Sequence, residues 1–239
     1  MRKPNTSAAV QAGRKSSRDE LDDFPTPPWA TRALCEIVLG PELDDCATVW
    51  EPCANRGHMV RPLREYVRDV VPSDVYDYGV GFHRFDFLSL ADTLMPRQWP
   101  GAPKRLDWLI TNPPFKHLND FIEHAQRITV TGFAIFGRIQ MLESLGRYAD
   151  FYGRWDPAKW GWCQFVERVN IVHGRLLERL PDGGTMPQAY GWLVYMHNPP
   201  ERGPTWWLER RMIPPCQKRL TRPGDYTTDN VDAYAAPLV

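Results

Sequence analysis

Four consecutive residues, Asn112-Pro113-Pro114-Phe115, follow the apolar run Trp108-Leu109-Ile110, and their types suit one kind of chemistry, the activation of an amino nitrogen attached to a flat ring. The lone pair of such a nitrogen is delocalised into the ring, which makes it a poor nucleophile. An Asn side-chain carbonyl and the Pro113 backbone carbonyl can accept its two N–H hydrogens and draw it toward sp³ geometry, freeing the lone pair for attack. Two prolines fix φ and carry no N–H, so the turn is rigid and its carbonyls face outward. Phe115 offers a ring face to a base taken out of its stack.

Such a turn needs a scaffold, and 239 residues with 43% hydrophobic content are enough for one sizeable core. Apolar runs bounded by turn signals alternate with helical patterns, which predicts an α/β, Rossmann-like domain: a mostly parallel sheet with an antiparallel edge strand and helices on both faces. Thr26-Pro27-Pro28 opens a helix over 29–39, with Leu34, Ile37 and Val38 on one face. Strands are expected at 47–51, 69–75, 106–111 and 129–136, and helices near 59–67 and over 118–128. A closing antiparallel pair is expected at 166–172 and 189–196, joined by the polar loop Pro181-Asp182-Gly183-Gly184-Thr185. The domain is drawn over 21–215. Residues 1–20 read as a flexible arm too poor in large apolar groups to order itself, and 216–239 as a tail, loosely held from Thr221 onward.

After the first strand comes Glu51-Pro52-Cys53-Ala54-Asn55-Arg56-Gly57-His58, a strand-to-helix turn. Gly57 allows close backbone approach and Asn55 tolerates a left-handed conformation. In open α/β sheets small molecules bind beside such turns. Glu51 could take up the ammonium of an amino-acid-bearing cofactor, or serve only as a turn carboxylate. Asp74 ends the second strand, where an acidic side chain can bridge two ribose hydroxyls or merely cap a turn. Asp86 could pair with an adenine amino group while Phe87 covers the ring, although an exposed turn with a core Phe fits as well.

The order of these features resembles the class I S-adenosylmethionine-dependent methyltransferases, and within them the amino-group DNA methyltransferases acting on adenine N6. Asn112 to Phe115 corresponds to that family's catalytic Asn/Asp-Pro-Pro-aromatic motif, and Glu51 to Gly57 to its Glu-Pro-x-Ala-Gly-x-Gly cofactor turn. The resemblance implies S-adenosyl-L-methionine as cofactor, held by Phe24, Thr26, Glu51, Ala54, Asn55, Gly57, Asp74, Asp86 and Phe87. Phe24-Pro25-Thr26-Pro27 looks like the segment that covers the methionine end of the cofactor. Asn55-Arg56 departs from the pattern where the first glycine is usual. The compact form, over Phe24 to Met196, looks like the small adenine methyltransferases of bacteriophages and prophages. It implies Asn112, Pro113, Pro114 and Phe115 as catalytic residues and DNA as partner. The same turn would serve an RNA adenine or a protein glutamine amide. A rival from another class is a catalytically silent nucleic-acid-binding protein.

Between 138 and 179, cations and rings are interleaved, and Arg138, Arg147, Arg154, Lys159 and Trp160 are the candidates for contact with a nucleic acid. The alternative assigns the rings to the core. Duplex DNA would require base flipping, and a homodimer would help so small a chain to read sequence. Pro215-Cys216-Gln217 matches the nucleophile signature of cytosine-C5 methyltransferases, yet it lies far past the cofactor turn, so a chance tripeptide is the better reading. Lys plus Arg and Asp plus Glu each total 29, so global charge does not select a partner. Five cysteines without a CxxC pair and scattered histidines favour reduced thiols over disulfides or zinc. No apolar stretch approaches the roughly 18 residues of a membrane span, and a cytoplasmic setting is expected.

Overall fold

The computed structural model describes residues 22–89, 105–151, 153, 156, 158–171, 188–199 and 211–225. The arm over 1–20, the loop over 181–185 and Arg154 lie outside them.

Eight strands form one sheet: β1 (Thr48–Glu51), β2 (Asp69–Asp74), β3 (His83–Arg84), β4 (Trp108–Thr111), β5 (Gly132–Arg138), β6 (Trp160–Phe165), β7 (Tyr190–Met196) and β8 (Met212–Ile213). Their order is β3-β2-β1-β4-β5-β7-β6-β8. All neighbours pair in parallel except β7, which runs antiparallel to both β5 and β6. This is the mostly parallel sheet that the alternation of patterns predicts.

Both faces of the central strands are buried, so successive residues feed opposite layers. Val49, Trp108, Ile110, Ala134, Phe136 and Trp192 face one side. Against them pack α1 (Pro28–Ala33), α2 (Val60–Leu63) and α5 (Gln217–Leu220), through residues such as Ala33, Leu63 and Leu220. Trp50, Leu109, Phe133, Ile135 and Leu193 face the other side, beneath Phe121, Ile122 and Ala125 of α3 (Leu118–Ile128). A short exposed helix, α4 (Leu145–Asp150), has its first turn capped by the Ser144 hydroxyl, which accepts from the Arg147 N–H.

The helix expected over 29–39 forms, but past Ala33 it widens into a π-helical stretch, Leu34–Leu39, that ends at Gly40 with φ 53°. Leu34 and Val38 are buried as the pattern required.

Two expectations are corrected. The strand beside β7 is Trp160–Phe165, not 166–172. Within 166–171, Val166 is exposed, Glu167 accepts from the backbone N–H groups of Cys216 and Gln217 at the start of α5, and Val169 and Ile171 pack on the core outside the sheet. The tail boundary at 216 also falls too early. Residues 216–225 are docked: Arg32, fully buried in α1, donates to Asp225 at 2.8 and 2.9 Å, to Glu65 twice at 2.8 Å, and to the Leu220 carbonyl at 2.7 Å.

Candidate active site

From the neighbouring strands β1 and β4 the chain continues toward opposite edges of the sheet, so the crevice beyond their C-terminal ends is a topological switch point, where open α/β sheets bind ligands. Glu51 closes β1, and Thr111 closes β4 immediately before Asn112. The Thr111 hydroxyl donates to Glu51 Oε1 at 2.7 Å, and the Cys53 N–H donates to the same oxygen at 2.9 Å. Glu51 Oε2 is buried and has no hydrogen-bond partner among the described residues. Burial pushes the Glu51 carboxyl up to about 8; the hydrogen bonds from Thr111 and Cys53 oppose the rise and the negative Asp74 adds to it. The carboxyl is therefore short of a donor or a cation, and such a deficit in a crevice marks a candidate functional group.

The turn after β1 takes the shape its residues suggest. Asn55 has φ 49° and Gly57 φ 84°. The Ala54 N–H donates to the Ser73 carbonyl and that of Gly57 to the Ala54 carbonyl. Asp74 Oδ2 accepts from the Asn55 N–H at 2.9 Å and Oδ1 from the Tyr76 N–H at 3.0 Å. Burial raises the Asp74 pKa, against the pull of these backbone donors. Asp74 thus ties the end of β2 to the turn, with the Val75 N–H as a third backbone donor to its carboxylate. Thr26 is buried and its hydroxyl has no partner among the described residues.

Asn112 makes a hydrogen bond from Nδ2 to the Phe24 carbonyl at 3.1 Å, which leaves Oδ1 as an acceptor. Pro114 has φ −54° and ψ 128°, and its carbonyl accepts from the His117 N–H at 2.9 Å, closing the turn. Among the described backbone bonds none occupies the Pro113 carbonyl. Beside these groups lies a cavity of about 130 Å³ lined by Phe24, Asn112, Phe115, Phe136, Arg138 and Tyr190, among others. It is smaller than the roughly 300–1,000 Å³ of whole-ligand pockets, and suits one flat group entering from outside. Phe115 is 40% exposed at its mouth. The Arg147 and Arg138 guanidinium carbons lie 5.4 and 5.9 Å from its ring centroid, within cation–π range.

Other expected contacts fall elsewhere. Phe87 is only 2% exposed, stacks on Phe121 at 4.6 Å and meets Trp50 edge-on, so its ring belongs to the core and cannot cover a ligand. Asp86 is exposed and accepts from the Leu88 N–H at 3.0 Å. Trp160 is also corrected, while Lys159 beside it is half-exposed. Trp160 pairs in register with Tyr195, at the sheet edge opposite Tyr190 and Arg138, roughly 17 Å away by strand rise. Its ring is buried against Phe133 and Tyr195. Cys216 is buried, and desolvation pushes its thiol up to about 11, with Glu167 adding to the shift; it carries no thiolate at neutral pH.

Sequence reading missed Asp23. Its carboxylate accepts from Asn55 Nδ2 at 2.8 Å and from the Arg56 guanidinium at 2.9 and 3.1 Å, and Arg56 in turn lies 4.8 Å over the Tyr78 ring. The available signal was the Asn55-Arg56 departure itself, since two polar side chains in place of a bare turn require a partner.

The chain superimposes on a modification subunit of a putative type I restriction enzyme from Vibrio vulnificus YJ016 with TM-score 0.52 and 14% identity, over 80% of this chain and 48% of that one. The fold is the Rossmann-like methyltransferase fold. This chain thus spans about half the length of that subunit. Weaker likenesses include the 23S rRNA methyltransferase ErmE, with TM-score 0.43 and 18% identity over 74% of this chain and 71% of that one. A putative RNA methyltransferase from Pyrococcus horikoshii gives TM-score 0.46 and 15% identity over 79% and 95%. No family model and no curated protein matches the chain.

Proposed function

We propose that this chain transfers a methyl group from S-adenosyl-L-methionine to the N6 amino group of adenine in DNA. The observation that carries the reading is the Asn112 amide, anchored through Nδ2 to Phe24 with Oδ1 left to accept, next to an exposed ring at the switch point. Asn112 Oδ1 and the Pro113 carbonyl take the two N–H hydrogens of the amine, and Phe115 supports the base face. With a bound donor supplying the methyl, the freed lone pair would take that methyl group, the bond electrons would stay on the donor's sulfur, and the extra proton on nitrogen would leave to water.

The residues present suit the cofactor. The buried Glu51 Oε2, without a partner among the described residues, is matched by an ammonium, and the Asp74 carboxylate at the end of β2 by ribose hydroxyls. When bound, the cofactor supplies an electrophilic methyl group. Asp86 remains a candidate for the adenine amino group; the ring of Phe87 does not.

A pH dependence follows. Glu51 titrates near 8 in the free protein and must be ionised to pair with an ammonium. Cofactor affinity should therefore rise with pH toward 8, by up to about tenfold per unit, and fall again above it, where an α-ammonium itself loses its proton. Calorimetry at pH 7 in buffers of different ionisation enthalpy should report release of close to one proton, and Glu51→Gln should remove that release. A flat profile would mean that Glu51 is not the ammonium partner.

Arg138 and Arg147, two cations at the rim of Phe115, support a polyanionic acceptor, Arg147 being held in place by its Nε–H bond to the Met141 carbonyl at 2.6 Å. Replacing either by Gln should reduce the slope of log affinity against log salt by about one, as read by anisotropy of labelled DNA. Unchanged slopes would take them out of the interface.

The deciding experiment incubates the purified chain with methyl-labelled cofactor and, in parallel, DNA, RNA and protein, then digests the labelled polymer for mass spectrometry. Label in N6-methyladenine from DNA is the expected result. Label confined to RNA or to a protein amide would reassign the acceptor, and no transfer at all would sink the enzymatic reading.

A further inference from the structure

The segment over 22–27 links the two halves of the site, and the proposed reaction makes no use of its buried acid. Asp23 is held by both residues that depart from the glycine turn: Asn55 Nδ2 at 2.8 Å and the Arg56 guanidinium at 2.9 and 3.1 Å. One residue on, the Phe24 carbonyl accepts from Asn112 Nδ2 at 3.1 Å. Two adjacent residues therefore tie the turn after β1 to the turn after β4.

An amide has two ends of opposite polarity. Turned through 180°, Asn112 would present its NH₂ to an incoming amine, donor against donor, and the nitrogen would stay planar. A backbone carbonyl only accepts. In its observed place, the Phe24 carbonyl rewards one orientation, with Nδ2 toward it, and repels the other.

We propose that Asp23 is a positioning residue: by clamping the 22–27 segment to the cofactor turn, it holds the Phe24 carbonyl where it fixes which end of the Asn112 amide meets the acceptor. The catalytic consequence rests on the methyl-transfer reading, whereas the orientation of the amide does not. The clamp also gives Asn55 and Arg56 a purpose. A glycine in place of Asn55 could adopt the same φ but could not hold Asp23.

Two measurements on the full chain test the clamp. The Asn112 side-chain amide protons, assigned by their disappearance in Asn112→Asp, are followed by NMR, and turnover is measured beside them. Asp23→Ala should shift those protons and remove their protection from exchange. It should lower kcat roughly 10- to 100-fold, the scale of a displaced catalytic group, with little change in acceptor KM. In the Asn112→Asp background, where a carboxylate accepts from either end, Asp23→Ala should cause no further loss. Should Asp23→Ala fail to fold, Arg56→Met cuts the guanidinium contacts, leaves the Asn55 bond, and should move the same amide protons. Unmoved amide protons in these variants, or an equal loss of turnover in the Asn112→Asp background, would overturn the proposal. A wild-type chain that methylates nothing while its Asn112 amide still responds to Asp23→Ala would leave the positioning intact and defeat the reaction. Active wild-type protein with an unresponsive amide would defeat the positioning alone.

Discussion

Asn112→Ala is expected to lower the rate of methyl transfer by roughly 10²–10³-fold, the scale seen when one preorganised polar group is removed from an active site. The side chain bonds to no residue of the cofactor turn; its hydrogen bond runs to the Phe24 carbonyl. On the proposed reading, truncation removes an acceptor for the reacting amine while leaving the Thr111–Glu51 and Asp74–Asn55 bonds as before. Cofactor affinity by calorimetry should stay at the wild-type value while kcat collapses, which separates a loss of chemistry from a loss of binding. The Phe24 carbonyl left behind is near the surface and can be hydrated, so stability should change little. Full activity in this variant would remove Asn112 from the mechanism, and with it the reading of the Pro-Pro turn.

Arg32→Ala should have the largest effect on stability. The guanidinium is fully buried and makes five hydrogen bonds, to Glu65, to Asp225 and to the Leu220 carbonyl. Burial works against its charge, but the hydrogen bonds to Glu65 and Asp225 outweigh that and hold it protonated well above the ordinary arginine value. Removing it leaves the Asp225 carboxylate, whose side chain is 0% exposed, with only the Arg222 N–H at 2.8 Å and an Arg61 guanidinium at 3.9 Å among the described residues. Breaking one half of a buried pair costs about 3–5 kcal/mol, a large share of the roughly 5–15 kcal/mol that holds a domain together. The thermal midpoint should fall by roughly 6–20 °C, at about 2–4 °C per kcal/mol for a domain of this size. Arg32→Met combined with Asp225→Leu should recover part of that loss, because no buried carboxylate remains at 225 while Glu65, 21% exposed, keeps Arg222 at 2.8 Å. A midpoint within about 2 °C of wild type for Arg32→Ala would show that the contacts of α5 and Asp225 contribute little.

The two effects arise in different parts of the molecule and should separate cleanly. Arg32 reaches Asp225 across 193 positions of sequence and fastens the end of the described chain to α1. Asn112 acts at the crevice between β1 and β4. A variant at one site should leave the other's readout unchanged, since no residue is shared between the two networks.

Much of the frame was legible in the residues themselves. Local rules suffice where a feature depends on its own few positions: the left-handed Asn55, the rigid Pro113-Pro114 corner, the helix over Leu118–Ile128 and the strand ending in Thr111 all follow from backbone preference and apolar spacing. Strand alternation also predicted the parallel sheet, because chain segments buried on both faces must be apolar throughout. Tertiary structure decided the rest, since those questions turn on which surfaces meet. Phe87 and Trp160 carry the same ring chemistry as Phe115, yet two are covered by neighbouring layers and one stands at a cavity mouth. The aromatic run Trp160–Phe165 satisfies the edge of β7, a pairing that 166–172 would suit equally by propensity alone. Asp23 and Asp225 look like solvated acids until the folded chain brings Asn55, Arg56 and Arg32 against them. Burial and long-range pairing are properties of the packed molecule, and no window of sequence contains them.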